Sequence, residues 1–434
     1  MVAKKKHRLA ESYIGGSVVN RNGSKCAKTQ EPTVIQAKDV YYEEGDLQRV
    51  HPYFHKFATH AKGRWIGRTI YEVFTKEFRD RSAQYYGEAI AKGLIEINGK
   101  QVSQDTVVRN GDLVTHFVHR HEPPVTLEPL GIVRETEDGL LIVNKPGSVP
   151  VHPSGRYNYN SVTKILEIKH GYKALFPVNR LDRLTSGLLL VGLNVEMARK
   201  LEQNLLDHVI QKEYVCKVIG EFPEGKVVCD QPIRVVAHKL SLNCVDPADG
   251  KPSLTEFERL SSDGTHSIVY CRPKTGRTHQ IRVHLQFLGY PIANDPLYHN
   301  VEVWGDAMGR GGAMPESTES LAPAKECMGE VAVKKGPRRR IDTWKSLVKR
   351  MEDWKTKQEM IEHVEHTSAG ADLDDPRTCS KCANVDLPNP KPDELCIWLH
   401  AWRYSGPGWS YETPLPEWAR EAAAKHIDRV KYNP

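Results

Sequence analysis

Residues 179–187 read Asn-Arg-Leu-Asp-Arg-Leu-Thr-Ser-Gly and run directly into an apolar segment at residues 188–191. The apolar segment has the length of a buried strand. Just before it, the acid Asp182 stands between Arg180 and Arg183. Neighbouring positive charge keeps a partly desolvated carboxylate ionised, which suits a reactive acid. On charge pattern alone, a surface ion pair is the simpler interpretation.

The overall composition indicates a globular chain of more than one domain. Its 434 residues are 39% hydrophobic and 27% charged, which is enough apolar material for a sizeable core. An apolar run of about 18 residues, which a membrane-spanning helix needs, does not occur in the sequence. We therefore expect no association with a membrane.

The net charge of +6 is mild, but it is unevenly distributed. Between Arg49 and Glu122 there are 12 Lys or Arg against 8 Asp or Glu, a local balance of 12 − 8 = +4. Denser basic clusters lie at residues 4–8 and 334–340. Lys and Arg bind phosphates without choosing a sequence, so this pattern favours a nucleic-acid partner. A solvated surface or a nuclear-import signal would give the same pattern.

Secondary-structure signals divide the chain into five parts. Helical spacing of apolar residues followed by the hairpin signal Asn98-Gly99 predicts a small module of two helices and a hairpin sheet. Four later segments read as strands, and a helix is expected from Thr278 to Leu288, ended by Gly289. We predict a loose basic extension, the small module, a larger α+β domain, a charged insertion and a return to the larger domain. Their bounds are 1–48, 49–122, 123–300, 301–393 and 394–434.

Three further blocks accompany the Asp182 segment along the chain. Residues 143–153 contain Val-Asn-Lys-Pro-Gly and Val-His-Pro, residues 212–214 read Lys-Glu-Tyr, and residues 273–284 read Pro-Lys-Thr-Gly-Arg-Thr-His-Gln-Ile-Arg-Val-His. The four blocks in this order resemble the motifs of the RluA-type RNA pseudouridine synthases over about residues 52–299, and again from Leu399. Residues 67–112 resemble the alpha-L RNA-binding fold. The resemblance implies a mixed, largely antiparallel synthase sheet preceded by an alpha-L module.

The resemblance also implies roles for the matched residues. Asp182 corresponds to the catalytic aspartate, which attacks the ribose or abstracts its proton while the base is detached. Tyr214 corresponds to the tyrosine under the target base, and Arg282 to the arginine that pairs with the aspartate. Arg180 corresponds to the arginine that fills the space left by the flipped uridine. Flipping a base out of its stack costs a few kcal/mol, which such stacking and filling residues offset.

Several other residues of these blocks are expected to bind the substrate or to support the site. Arg277 is expected to contact phosphate, and His284 and His152 to support or shape the cleft. Asn179 departs from the family, which often has His at this position. The remaining expected substrate contacts are His279, Asn144 and Lys145. The resemblance implies an RNA substrate, and no metal, nucleotide or redox cofactor and no obligatory protein partner.

Other functions stay open at this point. Cys379-x-x-Cys382 with His363 and Glu365 imitates a zinc deaminase motif poorly, because no proline directly precedes the first cysteine. A structural zinc on the two cysteines is a second alternative, with further ligands from Cys396, His363, His366 or His400. An RNA-binding protein without activity is the third, although binding alone does not require Asp182, Tyr214 and Arg282 together.

The RNA species and the cellular compartment remain undecided. Transfer, ribosomal and messenger RNA are all compatible with these motifs. The first thirty residues hold seven basic residues and one acid, as transit peptides do, but the basic residues are bunched. We expect the nucleus or the cytoplasm, with the mitochondrion left open.

Overall fold

The computed structural model describes residues 36–78, 82–237, 240–306, 309–311, 346–354, 378–379, 384–385 and 389–422. Within these ranges, no helix is long and apolar enough to cross a membrane.

Seven helices with defined bounds lie in the described chain. They are α1 (Ala37–Val40), α2 (Ile70–Glu77), α3 (Ala83–Ala91), α4 (Val162–His170), α5 (Val195–Leu206), α6 (Gln280–Phe287) and α7 (Val301–Trp304). Further helical segments occupy residues 346–354 and 417–422, and short 3-10 turns span Gly63–Trp65 and Pro392–Glu394.

The strands before residue 200 are β1 (Tyr41–Glu44), β2 (Leu47–Val50), β3 (Tyr53–His60), β4 (Ile95–Ile97), β5 (Lys100–Gln101), β6 (Leu113–Arg120), β7 (Val125–Thr126), β8 (Gly131–Glu135), β9 (Leu140–Lys145), β10 (Phe176–Pro177) and β11 (Ser186–Gly192). The later strands are β12 (Gln211–Ile219), β13 (Lys226–Asp230), β14 (Ile233–Ala237), β15 (Leu242–Val245), β16 (Leu254–Ser262), β17 (His266–Pro273), β18 (Thr378–Cys379), β19 (Asn384–Val385), β20 (Leu399–Gly406) and β21 (Trp409–Glu412).

A ten-stranded sheet organises the larger domain. Its main path runs β13-β16-β17-β12-β20-β11-β9-β8, with β10 paired to β11 and β21 to β20. All of its pairings are antiparallel except β11 with β20. The four strands expected from the sequence in this domain are all present. The mixed, largely antiparallel sheet agrees with the predicted α+β class.

The strand β20 lies in the middle of this sheet, between β11 and β12. Ser186 pairs with His400 and Gly187 with Ala401 at the parallel junction. Gly187 has a φ of +108°, and a Cβ atom there would lie 2.2 Å from the Ala401 carbonyl oxygen. Only glycine tolerates both this backbone conformation and this close approach. The glycine of the Asp182 motif therefore permits the close approach of β20.

Both faces of the sheet are covered by apolar side chains. Leu188 and Leu190 pack with α5 and α6 on one face, and Leu189 and Val191 pack with α4 on the other. This alternation explains the continuous apolar run after the motif, because a strand covered on both faces is apolar throughout. Helix α6 is itself enclosed, with residues 280–286 all buried.

The small module consists of α2, α3 and a four-stranded sheet in the order β3-β6-β4-β5. Its two helices and hairpin agree with the sequence prediction. The Thr69 hydroxyl caps α2 by accepting from the Glu72 backbone N–H, and the Glu72 carboxylate in turn accepts from the Thr69 backbone N–H. Strand β3, which pairs with β6 over eight residues, was not predicted.

The predicted loose extension is wrong for residues 36–48, and order begins before His51. Residues 37–50 form α1, β1 and β2, and β2 pairs with β7 beyond the module. Val40 and Tyr41 pack into the core on the α4 face of the large sheet. Their burial requires a surface supplied by a distant part of the chain, so local sequence pattern does not reveal it.

Glu122 joins the module to the larger domain. One carboxylate oxygen accepts bonds from the Tyr53 hydroxyl and the Tyr159 N–H, at 2.7 and 2.9 Å. The other accepts the N–H groups of Asn158 and Asn160, both at 2.9 Å. Four donors satisfy this buried charge, which would otherwise be costly to desolvate. Glu122, which lies at the predicted domain boundary, is thus held in place by contacts with residues 53 and 158–160.

A described helix within the predicted insertion packs against the larger domain. Leu347 and Met351 of the 346–354 helix are buried with Trp304 of α7 and with strands β14 and β15. These two residues and the half-buried Trp354 share one face, as the apolar spacing predicted. The spacing in the sequence predicts a charged helix around Trp344 to His363 with Gln358 on this same face, and Gln358 lies outside the described residues.

We expect Gly187→Ala to destabilise the larger domain by about 2 kcal/mol or more, because it combines a strained φ with a clash against backbone. Urea unfolding followed by circular dichroism measures the loss. Gly276→Ala is the matched control, because a Cβ at Gly276 meets nothing within 4 Å. Equal unfolding midpoints for the two variants would contradict the close-approach explanation.

Candidate active site

The centre of the site is Arg282, which lies between two carboxylates. Its Nη1 donates to Oδ2 of Asp182 at 2.9 Å. Its Nε and Nη2 donate to Oδ2 and Oδ1 of Asp295 at 2.6 and 2.9 Å. The guanidinium also lies over the Tyr298 ring, 5.0 Å from its centroid. The buried helix α6 and its contacts hold Arg282 in one orientation.

The two carboxylates differ in exposure, which assigns them different tasks. The Asp182 side chain is 29% exposed, whereas that of Asp295 is fully buried. Asp295 also accepts the backbone N–H groups of Leu297 and Tyr298. Only Asp182 is open to an incoming ligand. Asp295 holds Arg282 from behind through a bidentate contact, the geometry that suits a guanidinium.

The electrostatics favour an ionised Asp182. Burial alone would raise its pKa, but the charges of His279, Arg282 and Lys145 outweigh burial and hold the pKa below its usual value. Burial also lowers the pKa of His279, to about 4, so this ring is neutral at pH 7. Arg282 is therefore the main source of the stabilisation at neutral pH. Its own pKa is raised by Asp295 and Asp182 against the effect of burial.

His279 stands at the N-terminus of α6, close to Asp182. Its Nε2 is 3.6 Å from Asp182 Oδ2, and its Nδ1 is 2.9 Å from the Tyr298 hydroxyl. The Tyr298 hydroxyl accepts the Asn243 N–H at 3.2 Å, so it can donate to Nδ1. We assign the ring proton to Nε2, because an ionised carboxylate only accepts. The φ of His279 is +58°, and this left-handed turn brings the ring to the cleft.

Tyr214 lies on β12 and is linked to a second tyrosine that the sequence did not indicate. The hydroxyls of Tyr214 and Tyr404 are 2.7 Å apart, and the Asn179 amide donates to Tyr404 at 3.4 Å. The Asn179 side-chain oxygen accepts the Leu190 N–H at 3.0 Å. Burial is the main cause that raises the pKa of Tyr214 to about 12, so its phenol stays neutral. Asn179, where the family often has His, thus connects the motif to both tyrosines.

Arg180 is exposed and lies near two histidines of the cleft. Its charge contributes to lowering the pKa of His152 and of His279, in both cases after the larger effect of burial. His152 is exposed as well. These positions place an exposed cationic side chain at the rim of the cleft that contains Asp182.

Lys145 was predicted to bind substrate, and the structure corrects this. Its side chain is fully buried, and Nζ donates to the carbonyls of Pro146, Val149 and Arg183 at 2.9, 2.8 and 3.1 Å. Burial lowers its pKa to about 7, but three carbonyl acceptors favour the ammonium form, which alone has three donors. Lys145 therefore fixes the loop that carries Asp182 and does not face a ligand.

Two further predicted contacts lie apart from Asp182. Among the described residues, no hydrogen bond joins Asn144 or Arg277 to that carboxylate. Asn144 is half-buried and packs beside Gly131. Arg277 is exposed, and its Nε donates to the Pro252 carbonyl at 3.1 Å. These positions do not bring either residue to the reactive group.

His284 occupies the supporting position expected of it. Its two ring nitrogens are each 2.9 Å from a partner, the Thr255 hydroxyl and the Gln231 carbonyl. Burial lowers its pKa to about 4. The ring is fully buried, so it braces α6 against β16 and the loop before β14.

Asp295 and Tyr404 are the site residues that sequence analysis missed. Asp295 is the one charged residue among residues 292–298, which follow α6 closely. An isolated acid in an apolar stretch near a candidate arginine was the available signal. Tyr404 had no such signal, because an aromatic residue in an apolar strand is ordinary core.

A metal site is not found in the described part of the chain, where no group of three His, Cys, Asp or Glu residues could hold an ion. The zinc alternatives rest largely elsewhere, because His363, Glu365, His366 and Cys382 lie outside the described residues. His400, a further candidate ligand, bonds the Ser186 hydroxyl at 2.8 Å and the Thr413 hydroxyl at 2.9 Å. Both of its ring nitrogens are thus engaged at the β11–β20 junction.

Known proteins resemble the chain over nearly its full length. A family model described as RNA pseudouridylate synthase matches residues 139–287. Pseudouridylate synthase RPUSD2 of Mus musculus is 41% identical over 411 residues, which cover 89% of this chain and 74% of that protein. The tRNA pseudouridine(32) synthase, mitochondrial, of Saccharomyces cerevisiae is 37% identical over 439 residues, which cover 96% of this chain and 87% of that protein.

A solved structure, Human RNA Pseudouridylate Synthase Domain Containing 4, covers 69% of this chain and 93% of its own at 21% identity. Its TM-score of 0.39 is too low for a detailed comparison of the two folds. The two sequence relatives establish the family on their own, because each is more than 30% identical to this chain and is matched over more than two thirds of its length. The chain belongs to the RluA-type family of RNA pseudouridylate synthases, isomerases that convert uridine to pseudouridine in RNA.

Proposed function

We propose that Asp182 is the catalytic carboxylate and that the substrate is a uridine of transfer RNA. The observation that carries the first part is the 2.9 Å contact between Asp182 and an Arg282 that Asp295 holds from behind. The second part rests on names of relatives, since two proteins of Saccharomyces cerevisiae are a tRNA pseudouridine(32) synthase and a tRNA pseudouridine(31) synthase.

The reaction requires one bond to break and another to form. The bond between ribose C1′ and base N1 breaks, the detached uracil turns, and C1′ bonds to C5. The proton on C5 is then lost, and N1 gains one. Asp182 either attacks C1′ or removes a ribose proton while the base is detached. In both routes it must be ionised at the start, as its lowered pKa provides.

The surrounding residues position the target nucleotide. Tyr214 supports the uracil ring from below, with its phenol fixed by Tyr404. Arg180, exposed at the rim, fills the gap that the flipped uridine leaves in the RNA stack. Filling this gap offsets part of the few kcal/mol that unstacking costs. Arg277 lies further out and is suited to a phosphate contact.

The small module is proposed to be an alpha-L RNA-binding domain. In support, α2 and α3 precede the β4–β5 hairpin and β6, and the region from Arg49 to Glu122 carries the local charge of +4. A module of this kind grips phosphates and contributes affinity rather than base recognition. We retain the nucleus or the cytoplasm as the expected location, although one relative is named mitochondrial.

We expect Asp182→Asn to abolish pseudouridine formation on transfer RNA transcribed in vitro, while the dissociation constant for that RNA changes less than about threefold. The substitution keeps the shape of the side chain and removes only its charge. Mass spectrometry of the RNA and filter binding measure the two quantities. A wild-type protein that modifies other RNA but not transfer RNA would refute the substrate proposal. Activity of the variant above a few per cent would refute the role of Asp182.

Arg282→Met should raise the pKa of Asp182, because burial then acts without its main opposing charge. The ionised carboxylate exists above its pKa and is lost as pH falls through it. The acid limb that Asp182 contributes to the wild-type pH–rate profile should therefore lie below the usual range of a carboxyl group, and the variant's limb should lie above that of the wild type. Single-turnover rates between pH 5 and 8 test this.

Arg282→Lys should restore the charge but only part of the rate, because lysine lacks the planar fork.

Asp295→Asn should lower the rate about 10- to 100-fold, because Arg282 loses the charged fork that aims it. Its effect on the pH profile should be opposite in sign to that of Arg282→Met. Removing a negative charge near Asp182 lowers the Asp182 pKa while Arg282 stays in place, so the acid limb should not move upward. A melting curve confirms that the variant is folded. A rate equal to that of the wild type in the folded variant would contradict the assignment of Asp295 as the residue that positions Arg282.

A further inference from the structure

Strand β3 exposes two phenylalanines, one on each face of the module sheet. Phe54 is 57% exposed and Phe57 is 45% exposed. Large apolar side chains at this exposure are scattered singly on many proteins and need no explanation alone. Here one of the two, Phe57, is part of a longer arrangement that leads to Asp182.

Phe57 forms a pair with an arginine that reaches the larger domain. The Arg120 guanidinium carbon lies 5.5 Å from the Phe57 ring centroid. The same guanidinium donates from Nη2 to the Gly155 carbonyl at 3.0 Å. His55 lies beside Phe57, with ring centroids 4.4 Å apart. Arg120 therefore connects the aromatic edge of the module to the exposed loop at residues 152–156.

A second arginine–aromatic pair continues from this loop to the catalytic motif. Ser154 and Tyr157 close a tight turn through two backbone bonds of 2.9 and 3.0 Å. The Arg183 guanidinium carbon lies 5.5 Å from the Tyr157 ring centroid. Arg183 directly follows Asp182, is exposed, and has its carbonyl anchored by Lys145. We call Phe57, Arg120, Tyr157 and Arg183 the arginine–aromatic row.

The charge around the row suits a polyanion. Residues 51–60 and 113–121, which contain β3 and β6, include Arg120 and several histidines but no Asp or Glu. Glu122, which directly follows these segments, is buried and accepts four hydrogen bonds from protein groups. Asp112 lies at the opposite end of β6 from Arg120 and accepts bonds from the Asn98 side chain and the Arg109 N–H. Arg156 adds a further exposed cation at the tip of the turn. No carboxylate of these segments therefore faces a ligand along the row.

We propose that the arginine–aromatic row binds the single-stranded RNA next to the target uridine. Unpaired bases stack on Phe57 and Tyr157, and the guanidinium groups of Arg120 and Arg183 contact the phosphates between them. Rings combined with a basic groove are the usual means of holding unpaired RNA, since every base has a face that stacks. The inference rests on the proposed RNA substrate and adds where the flanking strand lies. A protein partner on this surface is the competing outcome.

The test compares the two phenylalanines of β3 in the full-length protein. Fluorescence anisotropy measures the dissociation constant for a labelled 20-nucleotide oligouridine and for a 20-base-pair RNA duplex. Phe57→Ala should weaken oligouridine binding about 5- to 100-fold, the effect of losing one stacked base. Phe57→Trp should keep it. Phe54→Ala is the matched control on the opposite face and should change it less than twofold.

The outcomes separate the row from the catalytic proposal. Equal effects of Phe57→Ala and Phe54→Ala, equal losses on oligouridine and duplex, or no wild-type binding to oligouridine would each overturn the row. The last result is also the one expected if the surface serves a protein. Pseudouridine formation by the wild type is measured separately. Its absence would refute the catalytic proposal while leaving a contrast between the two phenylalanine variants intact.

Discussion

The site depends on one buried guanidinium shared by two carboxylates. Arg282 cannot lose its proton, and it lies in a helix that is enclosed on every side, so its charge must be matched by nearby acids. Asp295, fully buried and held by backbone N–H groups, takes the larger share of the hydrogen bonds. One N–H remains for Asp182, the partly exposed acid. Two identical side chains thereby acquire different tasks through burial alone.

Residues far from the reaction maintain this geometry. Lys145 holds the carbonyl of Arg183, and the glycine at 187 lets β20 approach the motif. His284 braces the helix that carries Arg282. Each of these groups is buried and saturated with partners, so none is available to a ligand. Asp182 lies within a frame that other buried polar groups define, which is the condition for a preorganised site.

The motifs identified the proposed site residues more readily than the residues that surround them. Asp182, Tyr214 and Arg282 came from blocks whose order and spacing are specific, and the structure brings Asp182 and Arg282 together across 100 residues. Lys145 belongs to such a block too, yet a motif does not say whether a lysine faces a cleft or the interior. That distinction depends on the three carbonyls around it, which only the fold assembles.

The elements that the sequence did not predict were missed for a related reason. Strand β3 has exposed residues on both faces, so it lacks the alternation by which a half-buried strand is recognised. Val40, Tyr41 and Val50 are buried only because distant segments, α4 among them, supply the opposite surface, and β2 finds its partner in β7. Tyr404 is indistinguishable in sequence from a core residue. In each case the signal lies in a contact between distant segments rather than in local order.

The central position of β20 has a consequence for how the enzyme forms in the cell. The strands on one side of it end with β11 and those on the other with β12, and in the sheet path the two sets meet only through β20. Asp182 precedes β11 and Tyr214 lies on β12, so the two halves of the site belong to separate sheets until residues 399–406 have left the ribosome. At roughly 5–20 residues per second, this interval lasts on the order of ten seconds or more. During it both half-sheets present open edges, and open strand edges invite aggregation.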